Sequence, residues 1–291
     1  MKFGFSPGRV DLSAGGSRES VAGIIGLARL AQESGFDSVW LDEEDFSGGG
    51  PGAAALVAAA AVAACTSAIR IGVIVPLGLT HPVYTAEDFA VLDNISAGRV
   101  IAALRPPSGA AGAAARFEEA LEVCLRAWAP GPFRFRGEHF RIPANLPQNG
   151  PAAALAQVSV TPKPAQPRLP VWILATDDTA VRLAARFALP IIIPAGESLE
   201  PARSAFGLHR ELLAPEPVGS PAALMRDVDP AHMEALIQET ERCRDEMGVN
   251  YLICRPARGT DAAQAIALLS RCLVPEFRMY GYPRELRSLT L

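Results

Sequence analysis

The stretch from Thr66 to Leu104, TSAIRIGVIVPLGLTHPVYTAEDFAVLDNISAGRVIAAL, restricts the possible folds more than any other part of the chain. Ile69 to Val75 is an apolar, β-branched run, the pattern of a strand covered on both faces. Pro76, Gly78 and Pro82 interrupt it and open a loop. Thr85 reads as an N-cap with Asp88 three residues later, and the following helix puts Phe89 and Leu92 on one face. Gly98 closes the connection, and Val100 to Leu104 reads as the next strand. A strand, a helix and a strand in about 40 residues imply a parallel sheet.

The rest of the chain repeats this alternation. Lys2–Phe5 and Phe36–Leu41 read as strands, with a helix capped at Ser20 between them. A glycine-rich loop, 47–52, leads into an alanine-rich helix ending at Cys65. Arg116–Trp128 carries Phe117, Ala120, Leu121, Cys124, Leu125 and Trp128 on one stripe, and RFRGEHFRI within Phe133–Ile142 alternates as a small extra β segment. Pro143–Pro170 is long and rich in Pro and Ala, with no periodicity, so it reads as an insertion. Strands at Val171–Ala175 and Leu189–Ile193 follow, the first leading to a helix capped by Asp177 or Asp178. Pro194–Gly219 contains no convincing strand. Ser220–Pro221 and Asp229–Pro230 each read as a cap followed by a first helical position. A helix from Ala231 to Met247, a strand at Val249–Cys254 and a helix capped by Thr260 complete the pattern.

Seven core strands with helices between them predict one α/β domain over residues 1–291, a (β/α)8 TIM barrel whose seventh strand is missing or irregular. A doubly wound open sheet is the alternative, but no GxGxxG follows the first strand. The 291 residues are enough for such a barrel, and a net charge of −4 argues against a nucleic-acid or anionic-membrane partner. The five cysteines are scattered without a CxxC pair and read as free thiols of a cytoplasmic protein. No signal peptide is read at the N-terminus, and the longest apolar run is too short to span a bilayer. No metal-ligand spacing and no GxSxG are present. In a barrel, chemistry gathers where strand C-termini meet their loops. That places Glu43, Glu44 and Asp45 after the second strand, His81 after the third, Arg105 after the fourth, and Thr176, Asp177, Asp178 and Thr179 after the fifth.

The words TS-x-IR-x-G, HPV-x-x-AED and LD-x-x-S-x-GR, in this order and spacing, resemble the most recognisable segment of the bacterial-luciferase-like flavin monooxygenases. VWLDEED, RFEEALEVCLRAW with FRGEHF, TPKPAQPRLPVWILA, GSPAALM and VNYLICRP extend the resemblance over nearly the whole chain. It implies a luciferase-like barrel that binds reduced FMN, or the deazaflavin F420, at the strand C-termini. It also implies oxygenation of a small organic substrate, a separate flavin reductase, and a homodimer formed by the helices after strands two and three. A non-proline cis peptide around Val73 and Ile74 would support the flavin ring. Position and resemblance together give Glu44, Glu43 and His81 as candidate catalytic residues and Val73, Ile74, Arg105, Thr176, Asp177 and Thr179 as candidate cofactor contacts, with a turn-stabilising hydrogen bond as the alternative role of His81. Four features depart from the family pattern, one of them the segment around Pro194–Gly219, which is shorter than the family's seventh unit. Glu44 stands where the family has His. LRPPSG replaces a glycine-rich, Arg-containing turn. Two carboxylates, Asp177 and Asp178, stand where a Ser or Thr often meets the flavin phosphate. A family member without flavin chemistry, acting as a binding or partner protein and needing no cofactor, is therefore a second reading, and an F420-dependent oxidoreductase a third.

Overall fold

The computed structural model describes residues 1–7, 17–43, 54–107, 112–144, 156–196, 198–213, 221–257 and 259–278. The elements are β1 (Lys2–Phe5), α1 (Ser17–Glu33), β2 (Ser38–Asp42), α2 (Ala55–Cys65), β3 (Arg70–Pro76), α3 (Pro82–Ile95), β4 (Val100–Arg105) and α4 (Ala113–Trp128). A two-stranded hairpin, β5 (Phe135–Arg136) and β6 (Arg141–Ile142), comes next. The chain continues with β7 (Val171–Leu174), α5 (Asp178–Arg186), β8 (Ile191–Ala195), α6 (Glu200–Leu213), β9 (Ala222–Val228), α7 (Met233–Met247), β10 (Tyr251–Pro256), α8 (Ala262–Leu268) and α9 (Val274–Arg278). Eight parallel strands close into a barrel in the order β1-β10-β9-β8-β7-β4-β3-β2.

The seventh strand expected to be missing or irregular is β9, and it is regular. It pairs with β8 from Ile191↔Ala222 to Ala195↔Arg226, and with β10 from Tyr251↔Ala223 to Pro256↔Val228. Pro221 therefore precedes a strand and does not open a helix. Pro lacks a ladder donor, so its position before the first paired residue suits either element, and the turn chemistry alone could not decide. Four helix starts and one peptide bond also differ from expectation. α1 begins at Ser17, upstream of Ser20. α3 begins at Pro82, with His81 as its cap in place of Thr85, because Pro suits the first helical position. α8 is capped by Asp261, whose Oδ1 accepts from Gln264 N at 2.7 Å, in place of Thr260. Between Asp229 and α7 a 3-10 turn, Pro230–His232, intervenes. The cis peptides of the described residues are Ile142–Pro143 and Thr161–Pro162, so none lies at Val73–Ile74. There β3 pairs without interruption to both neighbours, Val73 with Leu41 and Ala102, Ile74 with Asp42 and Ala103.

Two layers of side chains alternate along the strands. One faces the helices and includes Phe3, Phe5, Ile71, Val73, Leu104 and Ile173. The other fills the barrel: Trp40, Ile74, Ile101, Ala103, Trp172, Leu174, Ile192, Ala223, Met225, Tyr251 and Ile253. The two indoles pack with ring centroids 5.3 Å apart, and Tyr251 meets Trp172 edge-on at 5.1 Å. Ser38 Oγ accepts from Trp40 Nε1 (2.6 Å) and from Tyr251 OH (2.6 Å), so both ring dipoles are satisfied without water. Burial pushes the Tyr251 phenol up to about 12. Gly4 and Gly72 make room for the Trp40 indole: a Cβ on either would stand 2.5 or 2.3 Å from it.

At the N-terminal end of the barrel, the short words of the sequence come together as fasteners. Asp93, fully buried, accepts from Gln166 N (2.9 Å), Gln166 Nε2 (2.8 Å) and Val100 N (3.4 Å). Arg99 donates to Ser96 O, Thr66 Oγ1, Ile69 O, Ala63 O and Thr66 O, tying the end of α2 to the start of β3 and β4. The TS-x-IR, LD-x-x-S-x-GR and PKPAQ segments thus meet one another through hydrogen bonds, away from the strand C-termini. Conserving such contacts preserves the barrel, since this face of a (β/α)8 fold carries stability and the opposite face carries chemistry.

Candidate active site at the barrel mouth

Continuing the period of two from the interior residues brings Asp42, Arg105, Thr176, Asp227 and Arg255 to the C-terminal rim, each two positions beyond Trp40, Ala103, Leu174, Met225 and Ile253. Above the aromatic plug, the wall therefore changes from apolar to polar. Arg255 Nε pairs with Asp227 Oδ1 across the β9–β10 ladder. Arg226, on the opposite face of β9, pairs with Glu239 of α7.

Glu43 and Arg105 form a second cluster. Arg105 Nη2 donates to the Glu43 backbone oxygen at 2.9 Å, and Glu43 Oε2 accepts from Ala55 N, the first residue of α2, at 3.0 Å. Glu43 N donates to Ile74 O, so the residue continues the β2–β3 ladder by one step. Burial pushes its carboxyl up; the Ala55 N–H and the Arg105 charge pull the other way, and Asp88 on α3 adds to the rise. The carboxyl of Asp88 is itself raised by burial and by Glu87. Glu43, Arg105 and Asp88 thus share one electrostatic neighbourhood.

His81 stands apart from this cluster in its contacts. Its Nδ1 accepts from Val83 N at 3.4 Å, which leaves the proton on Nε2. The ring lies edge-on to Tyr84 and Phe140, at 5.9 and 5.6 Å, and Nε2 is buried with no hydrogen-bond partner among the described residues. Burial and the nearby Arg116 lower its pKa, so the imidazole is neutral at pH 7.

Around β7 and α5, Asp177 caps the helix: its Oδ1 accepts from Ala180 N at 2.8 Å. Thr176 to Thr179 are all exposed. Asp177 and Thr179 line a cavity of about 250 Å³ with Pro106, Pro107, Ala113 and Phe117. Val73 packs toward the helices, whereas Ile74 lies inside the barrel. The geometry therefore joins Glu43 with Arg105, and Asp177 with Thr179, but joins neither pair to His81. Glu44 and Asp45 lie outside the described residues. Among the described residues, no three or more His, Cys, Asp or Glu side chains gather as a metal site. The Asp227–Arg255 pair was not singled out from sequence. The signal was there in YLICRP, where Tyr251, Ile253 and Arg255 alternate, but its partner lay in AALMRDV, which did not read as a strand.

The model of the luciferase-like monooxygenase family matches residues 1–222, more than half of the chain. The chain belongs to this family. An uncharacterized protein, y4wF, of Sinorhizobium fredii is 28% identical over 174 residues, which are 55% of this chain and 46% of that protein. The alkanal monooxygenase alpha chain of Photorhabdus laumondii is 32% identical over 77 residues, 26% of this chain and 21% of that one. The matched stretches thus span less than half of either relative. Among solved structures, the monooxygenase RslO1 from Streptomyces bottropensis superposes with a TM-score of 0.78 at 20% identity, covering 95% of this chain and 100% of that one. An F420-dependent secondary alcohol dehydrogenase in complex with an F420-acetone adduct gives 0.71 at 17% identity, covering 94% and 98%. The oxygenating constituent of 3,6-diketocamphane monooxygenase from Pseudomonas putida, in complex with FMN, gives 0.63 at 15% identity, covering 94% and 84%. At these identities the likeness is one of fold.

Proposed function

We propose that this luciferase-like protein is an oxidoreductase of the flavin type, a monooxygenase that takes reduced FMN from a separate reductase and oxidises a small organic substrate with O2. The observation that carries this reading is the family match over residues 1–222, which includes every strand from β1 to β8 and the first residue of β9. The polar rim above an aromatic plug supports it, because such a mouth offers an apolar floor with a few fixed dipoles, as cofactor sites do. Fold neighbours solved with FMN and with an F420 adduct support a cofactor of this chemical type. When bound, reduced FMN would supply the electrons that activate O2; the chain's residues would bind, orient and protonate. Arg105, at the C-terminal rim, would meet an anionic group of the cofactor. Glu43, whose carboxyl is raised by burial, lies beside it.

The N-terminus of α5 does not fit a phosphate. Asp177 already takes the Ala180 N–H, and Asp178 adds a second carboxylate in the first turn. Like charges at about 4 Å cost roughly 4 kcal/mol at an effective dielectric near 20, less on an exposed rim. This observation favours the second reading, a barrel without flavin chemistry that serves as a binding or partner subunit. Anaerobic titration with reduced FMN, and in parallel with F420, separates the two. The first reading expects saturable binding of one cofactor that Arg105→Ala weakens at least tenfold, and that Asp177→Ser with Asp178→Ala tightens. Absence of binding to either cofactor at high micromolar concentration would discard it in favour of the second; tight F420 binding alone would make the protein an F420-dependent oxidoreductase.

The same reading includes a homodimer in the cytoplasm. α2 and α3 expose several large apolar side chains: Val57, Ile95, Tyr84 and Val91 are 72%, 51%, 44% and 39% exposed. A second copy laid against these helices would cover that stripe. Sedimentation equilibrium is expected to give twice the chain mass for the parent protein and a monomer for Val57→Asp with Ile95→Asp. A parent protein that sediments as a monomer would remove the dimer. Cys124, Cys243 and Cys254 are buried free thiols, as suits a reducing compartment. Among the described residues, no helix is long and apolar enough to cross a membrane.

A further inference from the structure

The N-terminal end of the barrel, opposite the mouth, contains a cavity of about 450 Å³. It lies within the size range of small-molecule sites, roughly 300–1,000 Å³. Its walls are of two kinds. Ile101, Pro170, Trp172 and Tyr251 form an apolar corner, the last two rings meeting edge to face. Lys2 and Arg70 supply positive charge, and no Asp or Glu is among the residues that line it.

Arg70 is incompletely used. Its Nη2 donates to Val100 O at 3.4 Å and to Gln166 Oε1 at 3.2 Å, while its Nε is buried without a partner among the described residues. Of the five N–H donors of this guanidinium, only those on Nη2 are engaged among the described residues. The carboxylates at this end of the barrel are committed elsewhere. Asp93 holds Gln166 and Val100, and Asp37 accepts from Phe3 N (2.8 Å) and from Arg278 Nη2 (3.2 Å). A half-buried cation beside aromatic walls, with no counter-charge in the cavity it lines, carries a desolvation cost that an anion would offset.

We propose that this cavity binds a small planar organic monoanion, a carboxylate conjugated to an aromatic ring, with the carboxylate on Arg70 and Lys2 and the ring against Trp172 and Tyr251. The site is separate from the barrel mouth and independent of which cofactor the mouth takes. A ring in this corner meets the edges of Trp172 and Tyr251 that line the cavity, the edge-to-face geometry that aromatic pairs prefer. Bidentate or charge-assisted pairing with Arg then selects the carboxylate over a neutral group.

Benzoate is the probe, with benzamide and inorganic phosphate as its neutral and ringless counterparts. Titration of the full chain by calorimetry, with Trp fluorescence in parallel, is expected to give saturable benzoate binding in the millimolar range or tighter. Benzamide and phosphate should each bind at least tenfold more weakly. Lys2→Glu, an exposed change outside the fasteners, should weaken benzoate at least threefold, and Arg70→Gln at least tenfold. Arg105→Ala, at the mouth, should leave the benzoate affinity as it is. If Arg70→Gln fails to fold, Lys2→Glu alone decides. Absence of saturable binding, equal binding of benzamide or phosphate, an unchanged affinity in Lys2→Glu, or loss of benzoate binding in Arg105→Ala would each overturn the proposal.

Discussion

Replacing Asp93 by alanine is expected to lower the stability of the barrel by about 3–5 kcal/mol, the cost of leaving several buried hydrogen-bond donors unmet. The carboxylate is fully buried and accepts three hydrogen bonds, two from Gln166 and one from Val100 N. Alanine would remove the acceptor of all three, although Gln166 Nε2 keeps its bond to Val100 O (2.9 Å), and each unmet buried donor costs about 1–3 kcal/mol. The contacts cross 73 and 7 residues of sequence, so their loss also releases the segment before β7 from the α3–β4 turn. A domain is stable by about 5–15 kcal/mol in total, so this single change brings the protein close to its unfolding midpoint. Urea unfolding followed by circular dichroism measures it, with Asp93→Asn as the intermediate case, because one amide oxygen can still accept. A loss below about 1 kcal/mol for the alanine variant would mean that Asp93 does not hold this end of the barrel together.

The second large effect is at the centre. Gly72→Ala would put a Cβ 2.3 Å from Trp40 Cε3 and 2.4 Å from Cδ2. Trp40 cannot yield: its indole is fully buried, packs on Trp172 and Tyr251, and is hydrogen-bonded to Ser38. Overpacking of this kind costs about 1–3 kcal/mol, and more where the neighbour is fixed. Trp40→Phe by itself should also destabilise, by leaving a cavity. Together the two changes should cost clearly less than the sum of the singles, because the smaller ring leaves space for the new methyl. A double-mutant cycle reads that difference as a coupling energy. Simple additivity would show that the glycine is not there to admit the indole.

These two sites also show how far local pattern carries. The β3–α3–β4 unit, the Asp177 cap and the stripe of α4 all follow from apolar spacing and turn residues, which act over a few positions. The hairpin at 135–142 was legible for the same reason. β9 was not. AALMRDV has an Arg and an Asp among seven residues and follows a Pro, so its local propensity fits a helix start as well as a strand. Pairing on both sides, to β8 and β10, decides it, and that pairing exists only once the barrel closes. His81 shows the same limit. Its loop position suggested the mouth, but only the fold reveals Tyr84, Phe140 and Val83 around it.

What the sequence by itself determined is the alternation of strand and helix, the family, and the identity of the chemical groups near the strand ends. What only the tertiary structure decided is which groups share a space. Glu43 comes to Arg105 across 62 positions, Arg255 to Asp227 across 28, and Arg70 to Gln166 across 96. The physical reason is that periodicity is fixed by neighbours three or four residues away, whereas a site is fixed by the closure of eight strands around one aromatic plug.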